Sequence, residues 1–196
     1  MYTTTTQAPL EAAVATADLA DWLVADPADP SLPRLALMAT GMVVNWMESE
    51  LVSRPRRVVY QQWPYLGTLA YPTLTRQAIT LEDTITLPYA QLVSVESVEL
   101  YGEASQDYRI LGTKPASLHI RPTIVTEDIQ YPAIAVEYTA GYGPLVTDVP
   151  EEIRLGVMTL AAFLYEHRGH CEAAEAMRRS GAAGMLQAYK LRAVAL

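Results

Sequence analysis

Two stretches with helical periodicity enclose a long stretch of strand-forming residues, and this order limits the folds open to the chain. Before residue 56 and again from residue 148, apolar residues recur at helical spacing. Between them, short runs rich in Val, Ile, Thr and Tyr alternate with Gly, Pro and Asp. Short, evenly spaced strands favour antiparallel hairpins. We therefore predict an α+β fold, a small α-helical bundle with an antiparallel β subdomain inserted between the early helices and the main C-terminal helices.

This pattern divides the chain into five segments. They are an N-terminal arm (1–16), N-terminal helices (17–55), an inserted antiparallel β region (56–147), the main C-terminal helices (148–180) and a C-terminal segment (181–196). Strands are predicted within 57–63, 78–81, 84–87, 92–101, 108–111, 117–121 and 134–138. Residues 141–144 are interpreted as the turn between the last strand and the main helix.

Helix boundaries are predicted from caps and prolines. The first helix is expected over 17–25, with Thr16 as its cap and Leu19, Trp22 and Leu23 as its apolar face. The second is expected to run from about Pro33 to residue 52. Asp148 is predicted to cap the main helix, with Glu151 completing a capping box. A further helix is expected over 172–179, and 185–194 is expected to form a last amphipathic segment.

The charge balance argues against a protein that grips nucleic acid. The chain carries 22 acidic and 14 basic residues, a net charge of −8, and only Lys114 and Lys190 are lysines. The chain has more Arg than Lys and contains 12 tyrosines. Both residue types suit partly solvated interfaces with other chains. The single cysteine, Cys171, excludes a disulfide framework and suits a reducing compartment. No apolar run is long enough to predict a membrane span.

No cluster of residues predicts catalysis or cofactor binding. The strongest metal candidate is the group Glu166, His167, His170 and Cys171, but it has no second ligand pair and Gly169 interrupts the helix. A solvated helix end is the favoured interpretation. Neither a nucleophile motif nor a phosphate-binding loop is present. We assign no catalytic, cofactor or metal residues.

Arg54, Arg56 and Arg57 form a small basic cluster around a proline. Repeated in many copies, such a cluster could line a DNA channel. The favoured alternative is a cluster that complements the carbonyl end of the preceding helix.

The chain resembles the tailed-bacteriophage head–tail connector family, also called adaptor or head-completion proteins, over roughly residues 15 to 192. The resemblance rests on ADLADWL (17–23) with the helix around 42–44, and on LPY (87–89) followed by VSVESV (93–98). It is most specific in VEYTAGYG (136–143), VPEEIR (149–154) and AAFLYEHR (161–168), followed by LQAYKLR (186–192).

The resemblance implies a non-enzymatic virion protein at the head–tail neck, assembled in the host bacterial cytoplasm. It implies a ring, dodecameric in this family, that binds the portal protein above and a tail-side neck protein below. Viral DNA would pass through its lumen without specific binding. The C-terminal segment would dock on the portal, with Leu186, Tyr189, Leu191 and Leu196 as apolar anchors. The alternatives are a stopper or tail terminator and, from another class, a nucleic-acid-binding packaging factor.

Overall fold

The structure is a computed structural model that describes residues 2–7, 10–61, 63, 65–69, 78–81, 84–89, 91–121, 132–167 and 172–190. The described helices are α1 (Thr16–Leu23), α2 (Leu32–Met47), α3 (Glu151–Glu166), α4 (Ala173–Arg179) and α5 (Ala182–Leu186). The described strands are β1 (Tyr2–Gln7), β2 (Arg54–Tyr60), β3 (Tyr65–Leu69), β4 (Ala78–Leu81), β5 (Thr84–Thr86), β6 (Leu92–Leu100), β7 (Glu103–Ala104), β8 (Tyr108–Thr113), β9 (Ala116–Ile120) and β10 (Ile134–Ala140). The predicted α+β class is confirmed.

The helices from both ends of the chain share one hydrophobic core. α2 packs on α3, and α1, α4 and α5 close around this pair. The largest fully buried side chains include Leu19, Leu32, Met47, Ile153 and Leu160. The buried residues of α2 and α3 recur at spacings of three or four, so each of these two helices turns one apolar stripe inward.

The strands form a second core between two antiparallel sheets. One sheet has the order β1-β2-β10-β6-β7 and the other has the order β5-β9-β8, while β3 and β4 pair separately. Alternate residues of both sheets point inward, so Val58, Val136 and Tyr138 share a core with Ile85 and Leu118. The antiparallel pairing predicted from the strand spacing is confirmed.

Residues 2–7, within the predicted N-terminal arm, form an edge strand of this sheet. β1 pairs antiparallel with β2, from Tyr2 opposite Tyr60 to Gln7 opposite Arg56. The large sheet therefore includes residues 2–7 as well as the strands that begin at Arg54. Four consecutive threonines suit an edge strand because β-branched residues favour extended backbone.

Several predicted helix boundaries were wrong. α2 ends at Met47 because Glu48 takes the left-handed conformation with φ 56°, so the predicted continuation of the helix to residue 52 is replaced by a turn and bends. α1 has Ala15 at its N-cap and no side-chain cap from Thr16. Asp148 accepts a hydrogen bond from the Leu145 backbone at 2.9 Å and ends a short 3₁₀ turn, leaving Pro150 at the N-cap of α3.

The predicted turn at 141–144 is confirmed, and it joins the two cores. The Tyr142 backbone N–H donates to the Leu51 carbonyl at 2.9 Å, and the Ser53 N–H donates to the Gly143 carbonyl at 2.8 Å. Gly141 has φ +141°, and a Cβ there would lie 2.5 Å from the Ser53 Cα. Only glycine fits a strand end that approaches the α2–β2 connection this closely.

Candidate assembly surfaces

The three arginines of the predicted basic cluster are separated by the sheet. Arg54 and Arg56 are buried and both bind the fully buried carboxylate of Glu50. The Arg54 Nε and Nη2 atoms lie 2.7 and 2.8 Å from the two Glu50 oxygens, and the Arg56 Nε lies 2.5 Å away. The Arg56 guanidinium also stacks 4.1 Å from the Tyr89 ring centre. These two arginines therefore hold the junction between the cores and present no exposed cationic patch.

Arg57 is on the opposite, outer face of the same sheet, as strand alternation requires. Its guanidinium lies 3.4 Å from a Glu99 oxygen and 3.8 Å from a Glu137 oxygen. Glu96 is exposed on this face too, where it accepts hydrogen bonds from Ser94 and Thr139. Three carboxylates against one guanidinium make the outer face acidic, which does not suit binding to phosphates.

The C-terminal segment begins inside the subunit. The predicted amphipathic segment over 185–194 overlaps the end of α5, which covers Ala182–Leu186, and residues 191–194 lie outside the described part. Leu186 is fully buried and packs against Gly156, where a Cβ would lie only 2.9 Å from the Leu186 side chain. Leu186 is therefore a core residue, and the subunit alone accounts for its apolar character.

Tyr189 is half-buried where the segment leaves the helical core. Its ring centre lies 5.9 Å from the Lys114 Nζ, which also approaches the Tyr142 hydroxyl at 3.4 Å. Burial, and then the charge of Glu152, raise the pKa of the Tyr189 phenol above its ordinary value. The next residue, Lys190, has its Nζ 5.1 Å from the Trp46 ring centre. Leu191 and Leu196 lie outside the described residues.

The helical part exposes several large apolar side chains at its surface. Trp22 was predicted to belong to the apolar face of α1, but it is 50% exposed beside the buried Leu19. Leu37 and Met38 on α2 are 41% and 45% exposed. Large apolar groups held at a subunit surface are typical of protein–protein contacts.

Two grooves flank these exposed residues. One has a volume of about 390 Å³ and lies between α1 and the first half of α3, bordered by Asp18, Asp21, Trp22, Arg154 and Met158. The other has a volume of about 270 Å³ and lies between the start of α2 and the end of α3. Its lining is Ser31, Arg34, Leu35, Met38, Leu164 and Tyr165.

Within the described part of the chain, no group of three or more His, Cys, Asp or Glu side chains is placed to hold a metal ion. His167 stacks on Phe163 with ring centres 4.2 Å apart, and its Nδ1 lies 3.0 Å from the Phe163 carbonyl oxygen. His170 and Cys171 lie outside the described residues. Among the described helices, none is long and apolar enough to cross a membrane.

The fold is shared with chains of a phage-like particle. No protein-family model matches the sequence, and no curated protein matches it. A solved chain in the neck of an empty gene transfer agent (GTA) particle, computed with C6 symmetry, superposes with a TM-score of 0.71 at 17% identity, covering 98% of this chain and 97% of that one. A chain in the neck of the native GTA particle, computed with C12 symmetry, gives 0.68 at 18% identity, with 98% and 97% covered. A chain of the native GTA virion gives 0.59 at 16% identity, with 90% and 94% covered.

The superposition extends over almost the whole of both chains, so the helical bundle and the β part are matched together. The chain therefore has the fold of these neck chains. The predicted resemblance to head–tail connectors is supported at the level of the fold.

Proposed function

We propose that this protein is a structural subunit of the neck of a tailed-phage-like particle, where it forms an adaptor ring between portal and tail. The observation that carries the proposal is the fold shared over 98% of the chain with a chain of a neck computed with 12-fold symmetry. A ring of this kind needs two different complementary surfaces on each subunit. The exposed Trp22, Leu37 and Met38 supply apolar area for such contacts.

The charge of the subunit suits a conduit for DNA. The net charge is −8, and the outer face of the large sheet presents Glu96, Glu99 and Glu137. Because phosphate contacts by Lys and Arg dominate DNA affinity, an acidic lumen lets DNA slide instead of holding it. The role is mechanical and needs no cofactor.

The C-terminal segment is proposed to dock on the portal through Tyr189, Leu191 and Leu196. Leu186 is removed from this set of exposed anchors because it is buried against Gly156. A truncation that begins at residue 185 would therefore damage the subunit core. Removal of 191–196 leaves α5 and its buried side chain in place.

Binding to purified portal rings tests the adaptor role. The full chain should co-sediment with portal rings, and the chain lacking 191–196 should bind at least about tenfold more weakly. The matched control is Leu145→Ser, a change at an exposed apolar residue outside the segment. If the full chain does not bind portal rings but binds isolated tails, it is the stopper or tail terminator. Equal binding by both forms would remove the docking role of the segment.

A further inference from the structure

Helix α1 presents an exposed ridge of one aromatic and two acidic side chains. Asp21 and Trp22 follow Asp18 by three and four residues, so both lie beside it on one side of the helix. All three are exposed, and neither carboxylate forms an ion pair within the described residues. This set, the α1 ridge, combines an apolar projection with two free negative charges.

A second surface on the same subunit has the opposite properties. The groove between α2 and α3 is lined mostly by the apolar parts of Leu35, Met38, Leu164 and Tyr165. Arg34 is exposed at its rim and forms no ion pair within the described part of the chain. We call this surface the α2–α3 groove. It has room for an apolar side chain beside one unpaired positive charge.

The two surfaces lie at different positions along α3. The α1 ridge faces the first half of this helix, near Arg154, and the α2–α3 groove faces its end, near Leu164. Ten residues at a rise of 1.5 Å separate these positions by about 15 Å. A contact between them must therefore join two copies of the chain. Two distinct complementary patches on one subunit give head-to-tail association, which closes into a ring when the rotation permits.

We propose that the α1 ridge of one subunit docks in the α2–α3 groove of the next, with Trp22 against the apolar lining and Arg34 against Asp18 and Asp21. This inference rests on the proposed function and names the contact that closes the ring. Trp and Arg are the residue types that most often dominate binding energy at protein interfaces. In this contact Trp22 would be buried against apolar side chains and Arg34 against carboxylates. The opposite charges would fix how the two subunits are aligned.

Cross-linking with two engineered cysteines tests this contact. Cys171→Ser first removes the native thiol, and Ala17→Cys and Leu37→Cys then place one thiol beside each surface without altering its charges. A short flexible bismaleimide is added to the concentrated subunit and to the portal-bound complex. Head-to-tail contact predicts a ladder of trimers and longer species. The matched control carries Ala104→Cys, an exposed alanine of the β part, in place of Ala17→Cys.

Charge reversal supplies a second arm. Arg34→Glu should lower the ladder yield about tenfold or more, because three like charges would then meet. Adding Asp18→Arg and Asp21→Arg to Arg34→Glu should restore it. A ladder no longer than the control in either sample, a product limited to dimers, or a failed rescue would each overturn the proposed contact. If subunits still occupy the neck in that case, the proposed function stands and only the contact is wrong.

Discussion

Replacing the buried carboxylate that joins the two cores should unfold the subunit at much lower denaturant. Glu50 is fully buried, and the two guanidinium groups that bind it belong to residues only 9% and 4% exposed. Glu50→Gln keeps the side-chain volume but leaves two buried positive charges without a counterion. Breaking a buried ion pair in this way costs about 3–5 kcal/mol. For a chain of this size, that corresponds to a melting temperature lower by roughly 6–20 °C.

Urea unfolding followed by circular dichroism and tryptophan fluorescence measures this loss. The matched control is Glu175→Gln, which breaks an exposed pair whose Arg179 Nη1 lies 3.3 Å from the carboxylate. It should cost less than about 0.5 kcal/mol. A triple variant, Glu50→Met with Arg54→Met and Arg56→Leu, removes all three charges and should recover most of the lost stability. A loss below about 1 kcal/mol for Glu50→Gln, or a triple variant less stable than Glu50→Gln, would show that the Glu50 carboxylate is not needed as a counterion for the two arginines.

Three further predictions concern the core, the phenols and DNA. Leu186→Ala should cost about 2–5 kcal/mol in urea unfolding because a fully buried leucine is truncated; an effect typical of an exposed residue would show that the side chain is not buried in solution. Burial, and then the neighbouring Tyr189, raise the pKa of Tyr142 from 10.0 to about 12. The folded state therefore binds the Tyr142 phenol proton more tightly than the unfolded state does. The stability that this proton contributes is complete below pH 10 and is lost as the pH rises to about 12. Tyr142→Phe should therefore lose less stability than the wild type between about pH 9 and about pH 11, and equal losses would contradict the assignment. The purified subunit should not shift duplex DNA at about 0.15 M salt, and a shift that disappears as salt is raised would revive the packaging-factor alternative.

The order of elements could be predicted because each signal is local. Helical spacing in 32–47 and 151–166, and runs of β-branched residues between them, survive in the structure as α2, α3 and the strands. The boundaries were less predictable. The end of α2 depends on Glu48 adopting φ 56°, a conformation uncommon for a non-glycine residue. The extended conformation of residues 2–7 depends on pairing with β2, which lies some fifty residues away.

The surfaces were harder to predict than the fold because burial is a property of tertiary packing. Arg54, Arg56 and Arg57 are almost adjacent in sequence, but strand alternation places the first two around Glu50 and the third outside. Leu186 and Tyr189 follow one apolar pattern, and only the position of Gly156 reveals that Leu186 belongs to the core. A glycine in the middle of an otherwise apolar helix was the signal for this close approach.

A reconstruction of the intact particle neck at side-chain resolution is the decisive test of the adaptor role. We expect a closed ring of this chain under the portal, with its helical part forming the contacts between subunits and its C-terminal segment against the portal. A neck whose density is fully explained by other chains would contradict it.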